Sequence, residues 1–245
     1  MKTRILSSLM LLMLSLITTI GLAQSLKPAL QFEDDPRTHN VHIASDGSYL
    51  YTVNGGKAYM GQISKFSLTG NYITSYDIDL DMRSIMYHGK EKAFYVCTYD
   101  RNIYKITDMA TGKYELVLSQ LYENEQANLA LSPSGKLLYY FSDGTLKIFS
   151  FPKGKVVRII KGLDKGSEFS TGNCAVAVND KNIFTWNADY KTIFMYDLKG
   201  KKVKSFQITK GDYGFSLSWA NNMLWVSTDG NYEVGTWYGY TLPQD

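Results

Sequence analysis

Beyond residue 24 the chain consists almost entirely of short runs in which apolar and polar residues alternate, rich in Tyr, Val, Ile, Phe and Thr. Apolar patterns with the period of a helix are scarce. A period of two predicts strands with one face buried, and the Gly, Pro, Asn and Asp clusters between the runs predict tight turns. One strand recurs in register: ISKFSL (63–68), IYKITD (103–108), LKIFSF (146–151), IFMYDL (193–198) and WYGYTL (237–242). Its copies lie about 40–47 residues apart, room for four strands per unit. Each unit opens on an alternating strand: VHIAS (41–45), SIMYH (84–88), NLALS (128–132), AVAVN (175–179) and SLSWA (216–220). An aromatic-rich second strand follows, such as YLYTVN, FYVCTYD or LLYYFSD, then the recurrent strand, a Gly turn and a fourth strand such as YITSYDI or VVRIIKG.

The fifth unit stops after its third strand, and PALQFEDD (28–35) resembles the fourth strand it lacks. Pairing the two ends of the chain removes the open edges that an unclosed ring would leave. The pattern therefore predicts an all-β fold, a five-bladed β-propeller of four-stranded antiparallel blades. An N-terminal strand completes the last blade, and no strand is left over.

Three stretches, SDGSYLYTVNGG (45–56), SPSGKLLYYFSDG (132–144) and the TGK turn (111–113), resemble YVTN-type and lactonase-like propeller repeats. The resemblance implies the architecture and no particular activity, because propellers host unrelated functions.

Residues 1–23 read differently. Lys2 and Arg4 precede an apolar run from Ile5 to Ile20, and Gly21-Leu22-Ala23 supplies small residues before Gln24. That is the anatomy of a secretory signal peptide cleaved after Ala23, leaving 24–245 as one propeller domain. No Cys follows the cleavage point, so the expectation is a secreted or periplasmic protein rather than a lipoprotein, with no membrane span in the mature chain. The formal net charge is +3; losing Lys2 and Arg4 brings it to about +1. A balance this even carries no basic stripe for nucleic acid. Cys97 and Cys174 fall in non-neighbouring units and are expected to be buried free thiols.

Candidate chemistry follows from the inner strands. Placing Ile43, Ile85, Leu129, Val176 and Leu217 inside the blades turns His42, Ala44, Ser84, Met86, Asn128, Ala130, Ala175, Ala177, Ser216 and Ser218 to the central channel. One step towards the loop-bearing end come Asn40, Met82, Gln126, Asn173 and Gly214. The channel strands hold no carboxylate, and glycoside hydrolysis normally needs a pair. Any such pair would come from the links between blades: Asp34, Asp35, Asp79, Asp81, Glu123, Glu125, Glu168 or Asp212. His39, His42 and His88 cannot converge on a metal, since His88 ends its strand at the opposite face; no cofactor is expected. Asn54, Asp100, Asp143, Asn187 and Asp229 end the second strands and are expected to cap their own turns.

The leading expectation is an exported, non-enzymatic module that binds a protein or glycan through its loop-bearing face. The candidate ligand-binding residues are Asn40, His42, Tyr99, Gln126, Asn128, Asn173 and Trp186, with the two aromatic side chains at the rim. The channel mouth is expected to be polar, free of carboxylates and devoid of acid–base chemistry. The alternatives are a hydrolase or lactonase acting on a small or sugar-derived substrate, and a structural component of a cell-surface assembly.

Overall fold

The computed structural model describes residues 24–166 and 174–243. Blade 1 comprises β3 (His39–Ser45), β4 (Tyr49–Gly55), β5 (Gln62–Ser67) and β6 (Tyr72–Asp77). Blade 2 comprises β7 (Met82–His88), β8 (Ala93–Thr98), β9 (Ile103–Asp108) and β10 (Lys113–Leu118). Blade 3 comprises β11 (Leu129–Leu131), β12 (Leu137–Ser142), β13 (Thr145–Ser150) and β14 (Lys155–Lys161). Blade 4 comprises β15 (Val176–Val178), β16 (Asn182–Asn187), β17 (Thr192–Asp197) and β18 (Lys202–Ile208), and blade 5 β19 (Ser218–Ala220), β20 (Met223–Ser227), β21 (Gly235–Tyr240) and β2 (Leu30–Asp34). Every pairing within these four-stranded sets is antiparallel. Among the described residues none forms a helix long and apolar enough to cross a membrane.

Burial grades outward along each blade, as the sequence pattern demands. The second strands are packed on both faces (β20 is buried throughout), which is why they read as near-continuous aromatic and aliphatic runs. The outermost strand of blade 3, β14, is exposed at nearly every position. Between neighbouring blades lie five separate apolar cores, and Ile43, Ile85, Leu129, Val176 and Leu217 fall one in each. Each of these side chains is fully buried and stabilises its seam by roughly 1.5–3 kcal/mol.

The ring closes as its sequence implies. Leu30 pairs with Gly239, Phe32 with Trp237 and Asp34 with Gly235. Phe32 then wedges between Phe66 of blade 1 (4.6 Å between ring centroids) and Trp225 of blade 5 (5.6 Å), so the last blade is fastened to the first. One expectation needs correcting: a strand is left over. Residues Gln24–Leu26 form β1, which runs parallel to β18 and makes blade 4 five-stranded. Leu26 is buried in the core between blades 4 and 5, against the cluster holding Phe206, Ile208 and Tyr240. The N-terminal segment thus stitches two adjacent blades.

Candidate functional site

Hydrogen bonds bridge the blades around the bore, which opens at one end into a recess of about 380 Å³ lined by His42, Ala44, Met86, Ala130, Val178 and Trp219. An innermost strand has one edge without a partner strand, and its buried N–H groups must be satisfied from elsewhere. Side chains of the preceding blade do this around most of the ring. The N–H of Ile43 donates to Ser218 Oγ (3.2 Å), that of Ile85 to His42 Nδ1 (3.4 Å), that of Leu129 to Ser84 Oγ (3.3 Å) and that of Val176 to Asn128 Oδ1 (2.9 Å). The fifth link differs because blade 4 presents Ala175, which has no acceptor. There the Asn128 amide reaches further and donates to the carbonyls of Phe215 (3.0 Å) and Leu217 (3.3 Å). His42 and Asn128, both expected to meet a ligand, hold neighbouring blades together, and His42 also lines the recess at the end of the bore. Burial pushes the His42 imidazole down to about 3, so the ring is neutral.

Two further candidates are placed differently from the expectation. Asn40 is fully buried on β3; its carbonyl accepts from Ser227 Oγ, and its amide packs against Gly235. Trp186 does not present a face at the rim: it is fully buried between blades 4 and 5, its indole N–H donating to the Tyr213 carbonyl at 3.3 Å. Asn173, like Glu168, lies outside the described residues. Tyr99 and Gln126 do come together, in a cleft of about 470 Å³ at the channel mouth. The other walls of that cleft are His39, Gly55, Gly56, Asp81, Arg83, Tyr213 and Asp229, with Val41 and Phe215 beside them.

The mouth is therefore charged, against the expectation of a carboxylate-free surface. Arg83 is buried, its guanidinium paired with Asp81 and donating to the Met82 carbonyl at 3.1 Å. The Tyr99 ring, 40% exposed, lies 5.0 Å from the guanidinium carbon. Opposite, His39 Nδ1 lies 2.9 Å from both carboxylate oxygens of Asp229. The imidazole stacks on Tyr213, with centroids 6.1 Å apart and planes inclined by 16°, and meets the edge of Tyr232 at 5.3 Å. Burial, with the Asp229 charge in support, raises the Tyr213 phenol well above its ordinary range, so it stays protonated.

Two consecutive glycines hold the charged pairs side by side. A Cβ on Gly55 would press on the Arg83 guanidinium and stand 2.6 Å from the Met82 carbonyl oxygen. Gly56 has φ +124° and lies against the His39 ring, while its N–H donates to Asp81 Oδ1 at 2.7 Å. Only glycine combines that backbone with so close an approach.

Strict alternation along the inner strands conceals this site. The register of blade 1 slips between Asn40 and His42, and that of blade 2 between Met82 and Ser84. The residues inside the two bulges are Val41 and Arg83, both lining the cleft. A bulge re-aims its extra residue, and bulges concentrate beside functional sites. The signal in the sequence was an arginine next to an otherwise apolar and small-residue strand. Asp229 does cap its turn as expected, accepting from the Asn231 N–H at 3.0 Å, and it holds His39 as well.

Of the linker carboxylates, Asp81 alone among the described residues lines this cleft. Glu123 pairs with Lys147, and Asp212 lies 3.9 Å from Lys191. Asp34 and Asp35 line a separate recess between blades 5 and 1. His88 is at the far face, beside Glu91 and Gly135. Cys97 and Cys174 are buried thiols in one core between blades 2 and 3, where burial pushes Cys174 up to about 12.

No protein-family model matches the sequence, and no curated protein matches it. Solved structures share its architecture. Glutaminyl cyclase of Myxococcus xanthus superposes with a TM-score of 0.60 at 10% identity, over 89% of this chain and 97% of that one. A structural-genomics protein of unknown function from Bacteroides thetaiotaomicron superposes at 0.54 and 9% identity, over 82% of this chain and 70% of that one. At such identities the likeness is one of fold: the chain is a five-bladed β-propeller.

Proposed function

We propose that the protein is an exported propeller whose loop-bearing mouth binds a small acyl group, free or presented by a glycan or protein. The observation that carries this reading is Arg83, a guanidinium buried at the wall of the cleft with the exposed Tyr99 ring over it. A planar group laid on the exposed Tyr99 ring gains stacking, within the cleft that Arg83 also lines, where a carbonyl oxygen suits a guanidinium. Gln126 adds an amide at the rim. Kinship with YVTN-type repeats is part of the same reading and rests on the turn motifs at 45–56 and 132–144.

Acetylated probes test it. N-acetylglucosamine and N-acetylalanine amide, titrated by calorimetry or by NMR shifts, are expected to bind saturably to the purified protein. Replacing an exposed stacking ring removes on the order of 1–2 kcal/mol, so Tyr99→Ala weakens binding by roughly 5–30-fold without changing the melting temperature. Asn128→Ala lowers the melting temperature instead, because its amide ties three blades together. Equal binding by Tyr99→Ala and the wild type sinks the reading.

A further inference from the structure

The mouth holds a base that binding alone leaves idle. The His39 Nδ1–H donates to the Asp229 carboxylate, and Nε2 makes no hydrogen bond among the described residues. The His39 side chain is 25% exposed, and the residue lines the cleft. Arg83 adjoins the same backbone one residue away, since the imidazole lies on Gly56 and the guanidinium on Gly55.

The chemistry of this pair selects a reaction class. Glycoside hydrolysis passes through a cationic, oxocarbenium-like transition state and normally uses two carboxyl groups. Here both carboxylates are engaged, Asp229 by His39 and Asp81 by Arg83 and the Gly56 N–H. The neighbouring guanidinium also disfavours a cation. An acyl transfer builds negative charge on the carbonyl oxygen instead, which a preorganised guanidinium stabilises. We propose that the mouth hydrolyses small carboxylic esters, with His39 as general base and Arg83 facing the oxyanion; this rests on the acyl-binding reading above.

His39 Nε2 takes a proton from a water molecule as its oxygen forms a bond to the carbonyl carbon. The carbonyl π pair moves onto the oxygen that faces Arg83. The pair returns as the bond to the alkoxy oxygen breaks, and the Nε2 proton passes to that leaving group. Ester and water become acid and alcohol, and the imidazole is restored. Asp229 is a positioning residue, holding the ring in the tautomer that leaves Nε2 basic. The other groups facing the imidazole are Tyr213 and Tyr232, with Lys57 behind the Tyr232 ring at 5.1 Å.

The test is the hydrolysis of p-nitrophenyl acetate and butyrate by purified protein. Binding of p-nitrophenyl methylphosphonate, a stable mimic of the tetrahedral oxyanion, is measured beside it. The wild type is expected to turn over saturably. His39→Asn and His39→Gln should lower kcat at least 100-fold with KM within threefold and unchanged melting temperature. Asp229→Asn should lower kcat 10–100-fold at constant KM, a split that a merely structural role would not produce. Absence of saturable turnover, or His39 variants as active as the wild type, overturns the proposal. If the phosphonate still binds in a Tyr99-dependent way, only the hydrolytic step fails. If it does not bind at all, the acyl-binding reading fails with it.

Discussion

Two buried ionisable side chains outside the mouth set opposing demands on pH. His42 is held neutral by burial, at about 3, so on acidification the unfolded chain takes up a proton that the native bore refuses. Native stability from this group is fully present above about 6.5 and is lost as pH falls towards 3. Asp34 behaves inversely. Burial raises it to about 6 beside Thr52 and the indole N–H of Trp237, so between about 4 and 6 the native state holds a proton that the unfolded state has released. Its contribution falls as pH rises across that window. Each slope is about 1.4 kcal/mol per pH unit, with opposite sign, so the two cancel between about 4 and 6. Asp34→Asn keeps an oxygen for Trp237 and removes one side of the balance. Urea unfolding of that variant should lose roughly 2–3 kcal/mol between pH 6 and 4 relative to the wild type over the same interval. Identical pH dependence in the two proteins would show that Asp34 is not protonated in the native state. At this scale the sequence was least legible. Arg83 escaped because a bulge breaks the alternation, and Trp186 misled because an indole ending a second strand packs between blades as readily as it faces a rim.

Strands were far more legible than single side chains, since a period of two repeated over five units averages out local exceptions. The missing fourth strand of blade 5 could be recognised in PALQFEDD, because the deficit at one end matched the surplus at the other. The three-residue β1 could not: so short a segment has no periodicity, and its parallel pairing with β18 leaves no turn signal between the two. The two N-terminal strands differ in how much they hold. Deleting residues 24–26 removes the buried Leu26, about 1.5–3 kcal/mol, and should lower the melting temperature by roughly 3–12 °C. Deleting residues 24–35 also removes Phe32, the Asp34–Trp237 bond and the whole pairing with β21. That variant should aggregate or melt far earlier, and a melting curve matching the intact protein would refute closure by β2.

For the whole molecule, five apolar seams around a hydrogen-bonded axis leave a narrow bore with a concavity at each end of the ring, and the charged mouth is one of them. The exported reading begins the mature chain at Gln24, the first residue of β1. Mass spectrometry of the native protein should find that N-terminus, and a chain still starting at Met1 would defeat the claim. The closing strand also dictates an order of events. Leu30 meets Gly239 only after more than two hundred residues have followed it. At about 5–20 residues per second that is a wait on the order of 10–40 s for a nascent chain. Throughout it β2 has no β21 beside it, while blades 1 to 3 contain every strand they need. In a concentrated solution of refolding chains, the first β21 to reach a waiting β2 can come from a neighbour. The joint that completes the ring is therefore also the place where strand exchange between two molecules would begin.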